Sequence, residues 1–128
     1  MHAEFQFAVD VPRSLVRITL GGFFTPADIV RFAEARAKAH QQLRCGPNAH
    51  VTLVDIRGIK IQSQESVAGF AGVLASRVHR SRRIAFVVET SLARMQLKRA
   101  AGERSEGIFL TIQDAERWLF AAEADQAA

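Results

Sequence analysis

The sequence predicts an α/β sandwich: one domain on a mixed, mostly parallel sheet of about five strands, with about four helices. Three observations predict it. Strand-like and helix-like segments follow one another in the order β-β-α-β-α-β-α-β-α. Two stretches, 50–56 and 83–89, are almost continuously apolar, as strands buried on both faces are. The chain also opens with two alternating segments joined by a tight turn, the pattern of an antiparallel hairpin.

In EFQFAV, Phe5, Phe7 and Val9 share one face of the first strand. VPRS supplies the turn, since Pro12 fixes φ and lacks a donor. The second strand covers 15–24. Leu15, Arg17, Thr19 and Gly21 point to one side and Val16, Ile18 and Leu20 to the other, and Gly21-Gly22 predicts a bulge or an end to pairing. TPAD then opens a helix: Thr25 caps, Pro26 suits the first helical position, and Asp28 lies at the positive dipole end. Ile29, Phe32, Ala33 and Ala37 form its apolar stripe to about residue 43, where Gly46 is expected to cap and Pro47 to block continuation.

The third strand is expected over 50–56. A second helix runs from Ser63 to about Val78, with Val67, Phe70, Ala71, Leu74 and Val78 on one stripe. The strand at 83–89 is expected to be central. Thr90 or Ser91 caps a third helix that stops before Gly102, and 106–110 reads as a short last strand. Thr111 caps a final helix, with an acid at its third position and Ala115, Trp118 and Leu119 on its buried face. Residues 1–123 are read as the domain and 124–128 as a frayed tail.

Composition limits the function classes. A chain of 128 residues buries roughly 70% of its unfolded surface, enough for one core without disulfides or metals. The apolar share of 48% and charged share of 23% are those of a soluble globular protein. Cys45 is the only cysteine, which excludes an internal disulfide and fits a reducing, cytoplasmic location. No apolar run is long enough to span a bilayer, and the first residues lack the build of a signal peptide. A net charge of +4 is read as solvated surface rather than a nucleic-acid footprint. His2, His40, His50 and His79 have no compact metal spacing, so no metal is expected. With no phosphate loop, nucleophile elbow or dinucleotide glycine pattern, neither a cofactor nor catalysis is expected. Cys45 near His50 is read as an incidental thiol, and Phe120, if exposed, as part of a dimer patch.

Two groups of residues carry candidate sites. In VDIRGIKIQSQES, a strand end, a loop and a helix start bring Asp55, Arg57, Ser63, Gln64 and Ser66 together. A helix N-terminus leaves backbone donors without helical partners, so Ser63 either caps it or carries a phosphate there. Asp55 serves either as a functional group at a strand end or as a partner of Arg57. The second group is basic: Arg80, Arg82, Arg83, Arg94 and Lys98, with Arg77, His79 and Arg99 beside them. If the two segments converge they form an anion face; otherwise they are solvated helix ends.

The element order, together with VTLVDIRGIKIQSQESVAGF, RRIAFVVETSLARMQLKR and DAERWL, resembles the STAS superfamily, the fold of sulfate transporters and anti-sigma-factor antagonists. More closely, residues 5–120 resemble small bacterial STAS/Sec14 domain-containing proteins. The resemblance implies a non-enzymatic regulatory or protein-binding domain that meets another protein, or its own copy, through the loop after the third strand. In anti-sigma antagonists that loop carries Asp-Ser, the Ser being phosphorylated. Aligned on Asp55, Ile59 and Ile61, the Asp falls on Ser63 and the Ser on Gln64, which has no hydroxyl; Ser63 and Ser66 are the nearby substitutes. The Sec14 association implies the alternative, a carrier or sensor of a lipid or of a small apolar or anionic ligand, with Phe23, Phe24, Phe70 and Phe109 lining a pocket.

Overall fold

The computed structural model describes residues 2–76, 78, 80–104 and 107–127, with 122–127 described by backbone alone. Strands β1 (Glu4–Asp10) and β2 (Leu15–Gly22) form the opening hairpin. Ser14 takes a left-handed φ of 51° in its turn, and its N–H donates to the Val11 carbonyl at 3.1 Å. Helix α1 (Pro26–His40) starts with a capping box: the Asp28 N–H donates to Thr25 Oγ1 at 3.2 Å, and the Thr25 N–H donates to Asp28 Oδ2 at 2.8 Å. The helix ends at His40 rather than 43. Gln41 caps it in a right-handed conformation, and the left-handed residue of the following loop is Asn48, not Gly46.

Strand β3 (Val51–Ile59) runs three residues past its expected end. The β2–β3 register shifts between Thr19 and Gly21, and beyond the shift Gly21 and Gly22 pair with Gly58 and Ile59. The glycine pair thus makes the expected bulge and also extends the neighbouring strand. Gly22, at φ 79°, also runs against the chain start, where an added Cβ would lie 2.1 Å from the His2 carbonyl oxygen. Helix α2 (Gln64–Ala75), strand β4 (Arg83–Val87) and helix α3 (Ser91–Ala101) follow, with Thr90 rather than Ser91 capping α3. A short 3-10 turn (Gly102–Arg104), strand β5 (Ile108–Phe109) and helix α4 (Ile112–Ala127) complete the chain. Glu106, expected to begin β5, lies outside the described residues, as does Ala128. Helical backbone runs through 124–127, the stretch expected as tail.

The sheet order is β1-β2-β3-β4-β5, with β1 antiparallel and the rest parallel. The middle strand is therefore β3, and β4, expected to be central, lies beside it. Sequential parallel strands joined by crossovers of one hand put every crossover helix on the same face. Accordingly α1, α2 and α3 cover one face, over a core that includes Val16, Ile18, Val54, Ile84 and Phe86. Helix α4 returns to the other face, where Ala115 and Leu119 pack on Leu15, Leu53 and Ala85. Its expected buried face holds for Ala115 and Leu119, both 0% exposed. Trp118 is half-buried under the Arg83 guanidinium, 4.1 Å from its ring. Phe120 is likewise half-buried, with Arg13 4.4 Å above it, so the ring expected in a dimer patch is covered from within the chain.

Candidate functional site

All four parallel strands end at the same edge of the molecule, the edge where α/β sheets gather their sites. The segment between β3 and α2 is held there by side chains of the chain itself. Gln62 is buried. Its Oε1 accepts the Phe24 N–H at 2.8 Å, and its Nε2 donates to the Gly22 carbonyl at 3.0 Å and to the Lys60 carbonyl. Its backbone pairs reciprocally with the Gln96 side chain on α3, at 2.8 and 2.7 Å. The Lys60 N–H reaches the Gly22 carbonyl at 3.0 Å. These bonds tie the end of β2, the loop and α3 to one another.

Ser63 caps α2 and is exposed; its Oγ accepts the Ser66 N–H at 3.1 Å. Gln64 is exposed beside it. Ser66, named with them as a surface or switch residue, is placed inside. It is 0% exposed, and its hydroxyl donates to the Phe24 carbonyl at 2.6 Å while accepting from Ser63 Oγ at 3.1 Å. The physical reason is helical spacing, which puts Ser66 on the same inward stripe as Phe70 and Val73.

Asp55 and Arg57 form a two-pronged ion pair, Nε to Oδ1 at 2.9 Å and Nη2 to Oδ2 at 2.8 Å, and the Arg57 N–H also donates to Oδ1. Those Arg57 hydrogen bonds hold the Asp55 carboxyl below its ordinary range. A carboxyl depressed in the folded state contributes stability above its unfolded pKa and loses it as pH falls through the folded value. Asp55→Asn is expected to cost less than about 1 kcal/mol at pH 7, since the pair lies at the surface. The gap to wild type should close below about pH 4; urea melts at pH 7 and pH 3 check this.

The expected anion face does not form as drawn. Arg83 is committed to α4 through its stacking on Trp118 and a hydrogen bond to the Trp118 carbonyl. Arg80 and Arg82 precede β4 at the amino edge of the sheet, whereas α3 starts at the carboxyl edge and runs back. Arg94, in its second turn, is therefore at the opposite end from Arg80 and Arg82, while Lys98 lies a turn further back. Arg77 and His79 lie outside the described residues. Of the four phenylalanines proposed for a pocket, only Phe70 lines the apolar cavity between α2 and the sheet. Phe24 is fully buried, Phe23 is 39% exposed, and Phe109 meets Trp118 on the other face, ring centroids 5.6 Å apart and tilted by 47°.

A set of exposed apolar residues on this edge was not foreseen from the sequence, where Phe23 was expected to line a pocket. Phe23, Ile61, Leu92 and Leu110 are 39–69% exposed, and each falls within five residues after the carboxyl end of β2, β3, β4 or β5. Met95, at 54%, is one turn further along α3. The edge that carries Ser63 and Gln64 is thus also an apolar rim, with Lys60, Glu65, Glu89 and Arg94 exposed around it. The i, i+3 spacing of Leu92 and Met95 on a helix whose inner face is Ala93 and Leu97 was the available signal.

No protein-family model matches the chain, and no curated protein matches it. Solved structures do. The fold is similar to that of an anti-sigma factor antagonist from Mycobacterium paratuberculosis, with a TM-score of 0.64 at 9% identity over 91% of this chain and 94% of that one. It is also similar to an uncharacterised DUF3478-family protein with a SpoIIAA-like fold from Shewanella loihica, with a TM-score of 0.68 at 16% identity over 93% and 96%. The chain has the SpoIIAA-like, STAS-type α/β fold that the sequence resemblance implied. Among the described residues no helix is long and apolar enough to cross a membrane.

Proposed function

We propose that the chain is a cytoplasmic, non-enzymatic regulatory domain that binds a protein partner through the carboxyl edge of its sheet. One observation carries this reading: large apolar side chains follow four successive strand ends onto a single exposed rim. Contiguous exposed apolar surface rimmed by polar groups is the mark of a protein-binding patch. Its surrounding charges are of both signs, Lys60 and Arg94 against Glu65 and Glu89. That mixture suits a protein surface better than a uniformly anionic membrane or nucleic acid. Ser63, Gln64 and the Asp55–Arg57 pair supply polar contacts at its border, and Ser66 supports the helix start from beneath. The likeness to an anti-sigma factor antagonist supports the regulatory half of the reading.

The test uses the whole chain as bait under native conditions, beside Ile61→Asp and Leu92→Asp. Lys38→Ala, exposed in the last turn of α1 at the opposite edge of the sheet, is the control. A partner, including a second copy of the chain, should be retained by wild type and by the control and lost by at least tenfold from each rim variant, the scale of a truncated hot spot. A partner held equally by all four proteins contradicts the proposal.

A further inference from the structure

The two edges of the sheet are not alike. β5 closes one of them with Ile108 and Phe109 alone, too short a strand to template another. β1, at the opposite edge, has seven residues in an unbroken register with β2. Its sequence, EFQFAVD, holds no proline or lysine, and its ladder has no bulge, the devices that usually blunt a free edge. Among the described residues no strand pairs with its outer side.

Alternation decides which backbone groups are left over. The Ser14 carbonyl accepts the Val51 N–H at 2.9 Å, so it faces β3. Across the trans peptide the Leu15 N–H points the other way, toward β1. Leu15, Arg17, Thr19 and Gly21 thus turn their backbones to Asp10, Ala8, Gln6 and Glu4. Phe5, Phe7 and Val9 direct their N–H and C=O groups outward. Their side chains are half-buried on the α1 face, with both rings against Phe32. The other face of the strand shows Glu4, Gln6, Ala8 and Asp10, two carboxylates and no base. Arg17, beside Ala8, is bonded to Glu116, and Asp10 Oδ1 accepts the Arg13 N–H at 3.3 Å. This strip is acidic on a chain whose net charge is +4.

We propose that β1 is the docking edge for an extended segment of a partner protein, in which apolar β-forming residues alternate with Lys or Arg. Ladder bonds to Phe5, Phe7 and Val9 supply the affinity. The apolar residues continue the Phe5–Phe7–Val9 surface, and the basic ones fall on the strip with Glu4 and Asp10, where opposite charges across strands attract. A second copy of the chain suits the edge less well, since its own β1 adds two more carboxylates to that strip and no base. The inference goes beyond the rim reading and does not rest on it.

The probe is a capped heptapeptide, Lys-Val-Lys-Val-Lys-Val-Lys, with Glu in place of every Lys as its charge-reversed match. Each is titrated into the full-length chain at pH 7 and followed by NMR and amide hydrogen exchange. In the free chain the Phe5, Phe7 and Val9 amides should exchange fast and those of Gln6 and Ala8 slowly. The basic peptide should bind saturably, slow the first three, and bind at least about tenfold more tightly than the acidic one. The positive net charge of the chain opposes that preference, so it reads the local strip. Gln6→Lys, an exposed change, should weaken the basic peptide about threefold or more. Val9→Pro, which removes an outward N–H where proline is tolerated, should weaken it about fivefold or more. Ile61→Asp on the rim should leave it unchanged. No saturable binding tighter than about 1 mM, equal affinity for the two peptides, or binding indifferent to both β1 variants overturns the proposal. So does a chain whose Phe5, Phe7 and Val9 amides are already slow because β1 pairs with a second copy.

Discussion

Ser66→Asp is expected to destabilise the protein by about 3–5 kcal/mol, the cost of a buried carboxylate with no cationic partner. Ser66 is fully buried, and its Oγ sits 2.6 Å from the Phe24 carbonyl oxygen. A carboxylate there would place two acceptors face to face, and the Ser63 hydroxyl alone could answer it. Against a total stability of roughly 5–15 kcal/mol this removes a large share. Ser63→Asp should behave in the opposite way. Ser63 is exposed at the N-cap of α2, where Asp caps as well as Ser and meets the positive dipole end, so the change is expected within about 0.5 kcal/mol. Urea denaturation of the two variants measures the contrast. Of the two serines proposed as modification sites, only Ser63 can then carry a phosphate on the folded protein. Equal midpoints for both variants would mean that Ser66 is accessible and the description of the loop is wrong.

Phe24→Ala is expected to cost about 3–5 kcal/mol, the range for emptying a buried aromatic site. Its ring is 0% exposed and stands 5.2 Å from Phe70 and 6.5 Å from Phe5. Those rings in turn meet Phe32, 6.0 and 5.7 Å away, and Phe7 stacks on Phe32 at 5.4 Å. The Phe24 backbone also holds both Gln62 and Ser66, so loss of the ring should loosen the loop as well as the core. The adjacent Phe23→Ala is the internal control: at 39% exposure it should change stability by no more than about 1 kcal/mol. Thermal or urea melts of the two single variants decide the matter, and similar losses in both would place the hydrophobic anchor elsewhere.

Local signals carried most of the fold. Period-2 alternation in β1, the capping box at Thr25 and the continuous apolar run of β4 each act within a few residues, and each element formed where its pattern lies. Boundaries moved where pairing decided them. The extra length of β3 comes from the bulge at Gly21 in its neighbour, which the β3 sequence does not record. The candidate site was legible only in part. Asp55 with Arg57, and Ser63 as a cap, are short-range arrangements and were readable as such. The Gln62–Gln96 clamp joins residues 34 apart, and nothing local marks either glutamine. The anion face failed for a related reason: Arg83 had a partner 35 residues away in Trp118. The rim required knowledge that four strand ends share one edge, a property of the topology rather than of any one segment.

The central claim is that this carboxyl edge is where another protein sits. Amide hydrogen exchange on the chain, alone and bound to the partner that it captures, tests it most directly. Binding should slow exchange in the loop at 60–63, in the first turns of α2 and α3 and around Leu110, and leave α4 beyond its first turn unchanged. Protection confined to α4 or to the outer face of β1, with those segments exchanging as in the free chain, would contradict the account.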